Sequence, residues 1–366
     1  MKNIAILFLF LGTVAYASGK KVQEEPVAPN IIFLIGDGMG LSAVSTTVYY
    51  GDLYSEFSRF NEIGLSITSS ATHKVTDSAA SGTAMAAGKK TYNGAIGVDT
   101  AKVSIENITE VVSKLGWKTG VVATSSVTHA TPASFYAHVE LRSMEEDIAV
   151  QLLDSEIDFF AGGGIGYFNK RADSVNLFDA TEEKGFIVDT TALASPGSLS
   201  HDHKYGFLLA DGDMPGAHEG RDDFLPEATK LAIEHLAQND QRFFLMVEGS
   251  QIDWAGHDNN TEYLVSEMLD FEKTIVAALD FAKKDGNTLV VVTADHETGG
   301  LALASYTDED TGASDYSKIG PAFATGGHSA TMIPVFAYGP GAEAFKGIYQ
   351  NTELFHKMIA AARQGE

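Results

Sequence analysis

Several short apolar runs in this chain end in residues that bind metal ions. Asp37 follows "IIFLIG", Glu248 follows "FFLMV", and Asp295 and His296 follow "VVVTA". Asp253 and His257 stand close behind Glu248 in "DWAGH", and His328 lies in "TGGHSA" just ahead of another apolar run. A single Asp in such a place is usually a turn or cap residue. An ordinary surface, however, has no reason to gather carboxylates and imidazoles at the ends of several strands. Carboxylate and imidazole without thiolate suit zinc at a catalytic site, with magnesium or manganese where only oxygen ligands meet.

A nucleophile is also on offer. "VTDSAASGTAMAAGKK", Val75 to Lys90, consists almost wholly of small side chains with Asp77 and Ser78 at its front. A helix so built lies close to a sheet, and its N-terminus offers free N–H groups and the positive end of the dipole to phosphate oxygens. Coordination to zinc turns a serine hydroxyl into a competent nucleophile. The lipase elbow needs G-x-S-x-G, and Thr76 and Ala80 flank this serine instead. The P-loop needs four residues between its glycines, and Gly82 and Gly88 enclose more. Ser78 reads as a metal-activated nucleophile.

The elements that must position these residues follow from the apolar pattern. Runs at 31–40, 120–125, 242–250, 288–297 and 332–341 read as buried parallel strands, which end in Gly or a polar cluster. "SIENITEVVSKLG" predicts a helix capped by Ser104, and "SMEED" a capping box from Ser143 to Glu146. Leu264, Met268, Phe271, Ile275 and Leu279 form one stripe of a helix over 262–284. The alternation predicts an α/β fold, a large and mainly parallel central sheet with helices on both faces. Ligand sites in such sheets lie beyond the carboxyl ends of the strands, where most of the polar residues fall. The stretches near 195–224 and 305–327 read as loop insertions, and "AGGGIG" (161–166) as a glycine turn. His201, His203 and His218 read as surface-loop residues.

Composition bounds the function. The chain has 366 residues, no Cys and a net charge of −24. That balance excludes a nucleic-acid backbone as partner and repels any anionic substrate unless local cations reverse the field. Two or three divalent ions would bring roughly four to six positive charges to the crevice. Residues 1–17 combine a basic start, an apolar run too short to span a bilayer and a small-residue cleavage site, the pattern of a signal peptide. Residues 18–29 form a polar leader, 30–366 one domain, and no later segment is apolar enough to cross a membrane. A periplasmic or secreted location is expected.

With "GDGMG", "VTDSAASGTA", "ATPASF", "HVELRS", "VEGSQIDWAGHDN", "TADHETGG" and "GGHSA" in this order, the sequence resembles the alkaline phosphatases from about Asn30 to Gly341. The resemblance implies that family's three-layer fold and hydrolysis of phosphate monoesters through phosphorylated Ser78, with inorganic phosphate as product. It implies two zinc ions and one magnesium. Asp37 bridges the magnesium and one zinc, which Asp295 and His296 complete. Asp253, His257 and His328 hold the other zinc. By the same resemblance Thr131 and Glu248 would serve magnesium, Arg142 would grip phosphate, and a homodimer is expected. His129 and Trp254 stand where some members have an aspartate and a lysine. His129 makes zinc or weaker magnesium binding the expectation at the third site, and both residues border the substrate. A phosphodiesterase or sulfatase of the same superfamily is the nearest alternative, although Ser78 lacks the x-Pro-x-Arg that sulfatases carry. A non-catalytic phosphate- or metal-binding protein would not need the nucleophile.

Overall fold

The computed structural model describes residues 27–51, 54–308 and 310–364. The predicted signal peptide, 1–17, and most of the leader, 18–29, lie outside them. In chain order the strands begin with β1 Asn30–Gly36, β2 Glu62–Ile67, β3 Lys118–Ser126, β4 Phe159–Gly163 and β5 Phe186–Asp189. Next come β6 Lys204–Leu208, β7 Phe243–Gly249, β8 Thr288–Thr293, β9 Glu297–Thr298 and β10 Ala302–Thr307. The last are β11 Ser314–Ala322, β12 His328–Ser329, β13 Ile333–Tyr338 and β14 Gly347–Gln350. The helices are α1 Leu41–Tyr50, α2 Ser78–Ala87, α3 Ile108–Ser113, α4 Ala130–Ala133 and α5 Glu145–Asp154. They continue with α6 Ile165–Asn169, α7 Phe224–Leu236, α8 Gln251–His257, α9 Thr261–Asp285 and α10 Thr352–Ala362.

Among the described residues ten strands form one sheet in the order β14-β2-β13-β8-β1-β7-β3-β4-β6-β5. Side chains alternate across it. Ile31, Phe33 and Ile35 of β1 join the core beneath α2, α3, α5 and α10, while Ile32 and Leu34 join the core beneath α7 and α9. Each such buried side chain contributes about 1.5–3 kcal/mol of transfer free energy. The predicted stripe of α9 is buried throughout. Helices therefore cover both faces, as the strand–helix alternation predicts.

β13 differs from the sequence reading. It runs antiparallel to both neighbours, β2 and β8. The reason is the connection, for among the described residues no helix lies between Thr293 and Ile333. A parallel return needs a crossover of that kind. The chain instead leaves β8 at its carboxyl end, stays there through the β9–β12 ribbon and the β10–β11 hairpin, and enters β13 from the same end.

Other local expectations are also corrected. α3 is capped by Asn107, which forms a capping box with Glu110, because Ser104 is engaged in a bridge to Val98. Helix α5 has no side-chain cap, since Glu146 accepts from the Ala172 N–H instead. The first half of "AGGGIG" is strand β4, its last two residues open α6, and only Gly164 between them turns left-handed. Within 195–224 the strand β6 joins the central sheet, and 305–327 is largely the β10–β11 hairpin.

Candidate metal and active site

β7, β1 and β8 lie side by side and parallel, so their carboxyl ends bring Glu248, Asp37 and the Asp295–His296 pair together. Helix α8 begins directly after β7 and sets Asp253 and His257 one turn apart. It can lie against the β1 loop because Gly38 has φ +69° and no side chain; a Cβ there would stand 2.8 Å from the Asp253 Cα. His328 reaches the same place because antiparallel β13 starts at this end.

Three groups of ligand atoms result, each with its members within 4.8 Å of one another: Asp253, His296 and His328; Asp37, Asp295 and His296; Asp37, His129 and Glu248. His257 belongs beside the first, with Nε2 3.1 Å from His328 Nε2 and 3.3 Å from Asp253 Oδ2. In the second, His296 Nε2 lies 3.1 Å from Asp295 Oδ2 and 3.5 Å from Asp37 Oδ1. Ser78, first residue of α2, points its hydroxyl at the same nitrogen from 3.4 Å. Beside the third, the Thr131 hydroxyl faces Glu248.

The histidines share one arrangement. Nδ1 of His257 meets Gly326 O at 2.8 Å, Nδ1 of His328 meets Thr76 O at 2.9 Å, and Nδ1 of His296 meets Thr298 Oγ1 at 3.1 Å. Carbonyl oxygens only accept, so His257 and His328 each carry a proton on Nδ1, and their Nε2 atoms face each other. Ring nitrogens converge this way where an ion lies between them.

The carboxylates need cations as well. Neither oxygen of Asp37 has a hydrogen-bond partner, nor has Asp295 Oδ2, Glu248 Oε1 or Thr131 Oγ1, all of them buried. Burial, then the charges of Asp295, Asp253 and Glu248, hold the Asp37 carboxyl well above its usual range. Burial outweighs the bonds from Ser250 and Ser125 and pushes Glu248 up to about 7. For Asp253 burial acts upward too, yet His257, His296, Thr298 and His328 win and its carboxyl is depressed. Ligand atoms at about 2.0–2.2 Å from one tetrahedral zinc stand roughly 3.3–3.6 Å apart, close to the spacings found here. The two groups that include His296 mix carboxylate and imidazole as zinc sites do, and Asp37, Glu248 and Thr131 offer the oxygen set that magnesium takes.

Arg142 donates from Nη2 to His129 Nε2 at 3.0 Å, and its Nη1 is 3.5 Å from Asp77 Oδ2. Asp77 is the N-cap of α2, accepting from the Ala80 N–H at 3.0 Å, and thereby ties the arginine to the Ser78 helix. Burial and the neighbouring Arg142 depress His129 to about 3, so its imidazole is neutral and has one lone pair. That lone pair serves either Arg142 or an ion, not both. Trp254 stands edge-on to His129 with ring centroids 6.1 Å apart. The small residues of α2 are explained by both packing and approach. Every one is buried, a Cβ at Gly82 would stand 2.8 Å from Ser134 Oγ, and Ser81 donates to the Asp295 carbonyl.

A sequence profile of the alkaline phosphatases matches residues 28–314. Alkaline phosphatase 4 of Bacillus subtilis is 35% identical, over 96% of this chain and 92% of that protein. The chain belongs to the alkaline phosphatase family. The alkaline phosphatase of Escherichia coli is 32% identical, over 93% of this chain and 87% of that one. The structure of alkaline phosphatase from the Antarctic bacterium TAB5 superimposes with a TM-score of 0.91 at 51% identity, covering 94% of this chain and all of that one. Variants of the TAB5 protein with a histidine replaced by Asp or Glu hold magnesium in a site named M3. Alkaline phosphatases act on phosphate monoesters, and this chain is a phosphatase enzyme of that class, EC 3.1.3.1.

Residues that align the ligands escaped the sequence reading. Ser250 and Ser125 both donate to Glu248 Oε2, which leaves Oε1 free for the third group. Thr298 contacts Asp253 and His296. Nothing in their type marks them, since Ser and Thr are common near strand ends. Among the described residues, no metal-competent group includes His201, His203 or His218.

Proposed function

We propose that the chain hydrolyses a broad range of phosphate monoesters through a phosphoserine at Ser78, with two zinc ions and one magnesium. The observation that carries this is the meeting of the Ser78 hydroxyl, at a buried helix N-terminus, with buried carboxylate oxygens that have no protein partner. Asp253, His257 and His328 would hold one zinc, Asp37, Asp295 and His296 the other, and Asp37, Thr131 and Glu248 the magnesium. Magnesium in the TAB5 variants supports the last assignment. When bound, the ions lower the pKa of a hydroxyl and of water and offset phosphoryl charge.

The chain's own groups do the rest. Ser78 Oγ attacks phosphorus in line, the ester P–O bond breaks and the alcohol leaves. Water then releases inorganic phosphate from the serine. Arg142 forks two non-bridging oxygens, while Asp77 holds the guanidinium over the α2 N-terminus. A site that grips the phosphoryl group and little of the alcohol admits many monoesters. The lone pair of His129 is engaged by Arg142, which supports weaker magnesium binding at the third position; zinc there would need that lone pair released from Arg142.

Mass spectrometry after incubation with a monoester at acid pH should find phosphate on Ser78 and none in Ser78→Ala. Hydrolysis of a monoester should exceed that of a diester or sulfate ester by orders of magnitude and vanish on chelation. Phosphate on another serine, or comparable diester turnover, would sink the assignment. Export is read from residues 1–17 and dimerisation from the family resemblance. Retention of that segment in the mature protein, or a monomer in sedimentation, would overturn each in turn.

A further inference from the structure

Strand β9 is two residues long, yet Thr298 touches segments that carry ligands of both proposed zinc positions. Its backbone N–H donates to Gly38 O, one residue past Asp37. Across the β9–β12 ladder it pairs with His328. Its hydroxyl donates to Asp253 Oδ1 and stands 3.1 Å from His296 Nδ1. The residue is buried, and two glycines let the surrounding loops close on it. A Cβ at Gly38 would stand 2.8 Å from Thr298 Oγ1, and one at Gly256 would stand 3.1 Å from Thr298 Cβ.

A hydroxyl has one proton. Given to Asp253, it leaves the oxygen able only to accept from His296, whose own proton must then sit on Nδ1. The Nε2 lone pair is thereby turned toward Asp37, Asp295 and Ser78. The opposite arrangement would set the hydroxyl oxygen against a bare carboxylate oxygen.

We infer that Thr298 is a positioning residue that couples the two proposed zinc positions through its hydroxyl. An ion that orders Asp253 also orders the hydroxyl, which presents His296 in its ligating tautomer to the neighbouring ion. By linkage the second position aids the first equally. The two ions therefore bind cooperatively. This rests on the ligand roles proposed above.

The test is zinc titration of the metal-free protein against a competing chromophoric chelator, for wild type, Thr298→Val and Thr298→Ser, alongside thermal melting of each. Wild type should take up two zinc ions cooperatively. Thr298→Val should bind about 10–100-fold more weakly and in separate steps, and Thr298→Ser should stay within about threefold of wild type. Superimposable wild-type and Thr298→Val isotherms overturn the inference while leaving the ligand assignments intact. Equal loss in both variants also overturns it, since retention of the hydroxyl in Thr298→Ser would then make no difference and side-chain packing would be responsible. Failure of wild type to bind zinc removes the ligand assignments themselves. Should Thr298→Val not fold, imidazole nitrogen shifts of the metal-free wild type decide by NMR. An Nδ1-protonated His296 is expected, and an Nε2-protonated one overturns the coupling.

Discussion

Two buried acidic clusters in this molecule are built on opposite principles. Under the loop that precedes α7, Glu267 and Asp270 of α9 face Arg221, whose guanidinium reaches both carboxylates at 2.5 and 2.8 Å. The Ala217 N–H donates to Glu267 as well. At the carboxyl ends of β1 and β8, Asp37 and Asp295 are buried as deeply, yet among the described residues neither oxygen of Asp37 has a hydrogen-bond partner. One cluster supplies its own cation and serves to latch a loop. The other leaves its charge to be matched from outside the chain, and only that one can do chemistry. Burial of carboxylates therefore does not mark a site; incomplete pairing does.

Opposite responses to charge removal would test this contrast most severely. Arg221→Met leaves two buried carboxylates unpaired and should cost about 3–5 kcal/mol of stability, with turnover per folded molecule kept. Asp37→Asn should cut activity more than about 100-fold while stabilising the metal-free protein. The sign follows from the raised Asp37 pKa: its charged form is disfavoured in the fold, so the metal-free protein gains stability as pH falls through that pKa. Chemical denaturation of both variants without metal checks the pair, and equal destabilisation would erase the distinction.

A cation that the chain does supply to the site is Arg142. Arg142→Ala should remove about 2–4 kcal/mol of transition-state binding, read as kcat/KM for a monoester. Wild-type efficiency would deny it the phosphate.

The proton on His257 sharpens the contrast further. The Asp253 hydrogen bond raises this imidazole to about 9 in the metal-free protein. Its pairing with Asp253 stabilises that form fully below about pH 6.5 and is lost as pH rises through about 9. An ion must displace the proton. Zinc affinity at this group should rise about tenfold per pH unit toward 9 and then level, with proton release seen by calorimetry in buffers of different ionisation heat. Affinity that is flat from pH 7 to 9 would refute this.

The smallest effect concerns Trp254, a neutral residue beside the proposed ligand Asp253. Trp254→Lys adds a cation and should lower both the phosphate inhibition constant and the Michaelis constant by a factor of about 3–10, with slower turnover as product release slows. An unchanged inhibition constant, with metals confirmed bound, leaves Trp254 a packing residue against His129.

Side-chain type and local pattern were sufficient for much of this. Apolar runs ending in Asp37, Glu248 and Asp295, and the stripe of α9, are properties of short segments. They determined the mainly parallel sheet, the end at which the carboxylates and imidazoles gather and the oxygen and nitrogen donors they offer. Hydrogen-bond competition already escaped such reading, since Asn107 rather than Ser104 caps α3 and Glu146 bonds to Ala172. The direction of β13 depended on a connection without a helix. The proton positions depended on partners far away in sequence: Thr76 O for His328, Gly326 O for His257 and the Thr298 hydroxyl for His296. A residue's chemistry is carried by its own atoms and can be read in one dimension. Which lone pair is left free is set by whatever the fold brings within about 3 Å, and only the tertiary structure decides that.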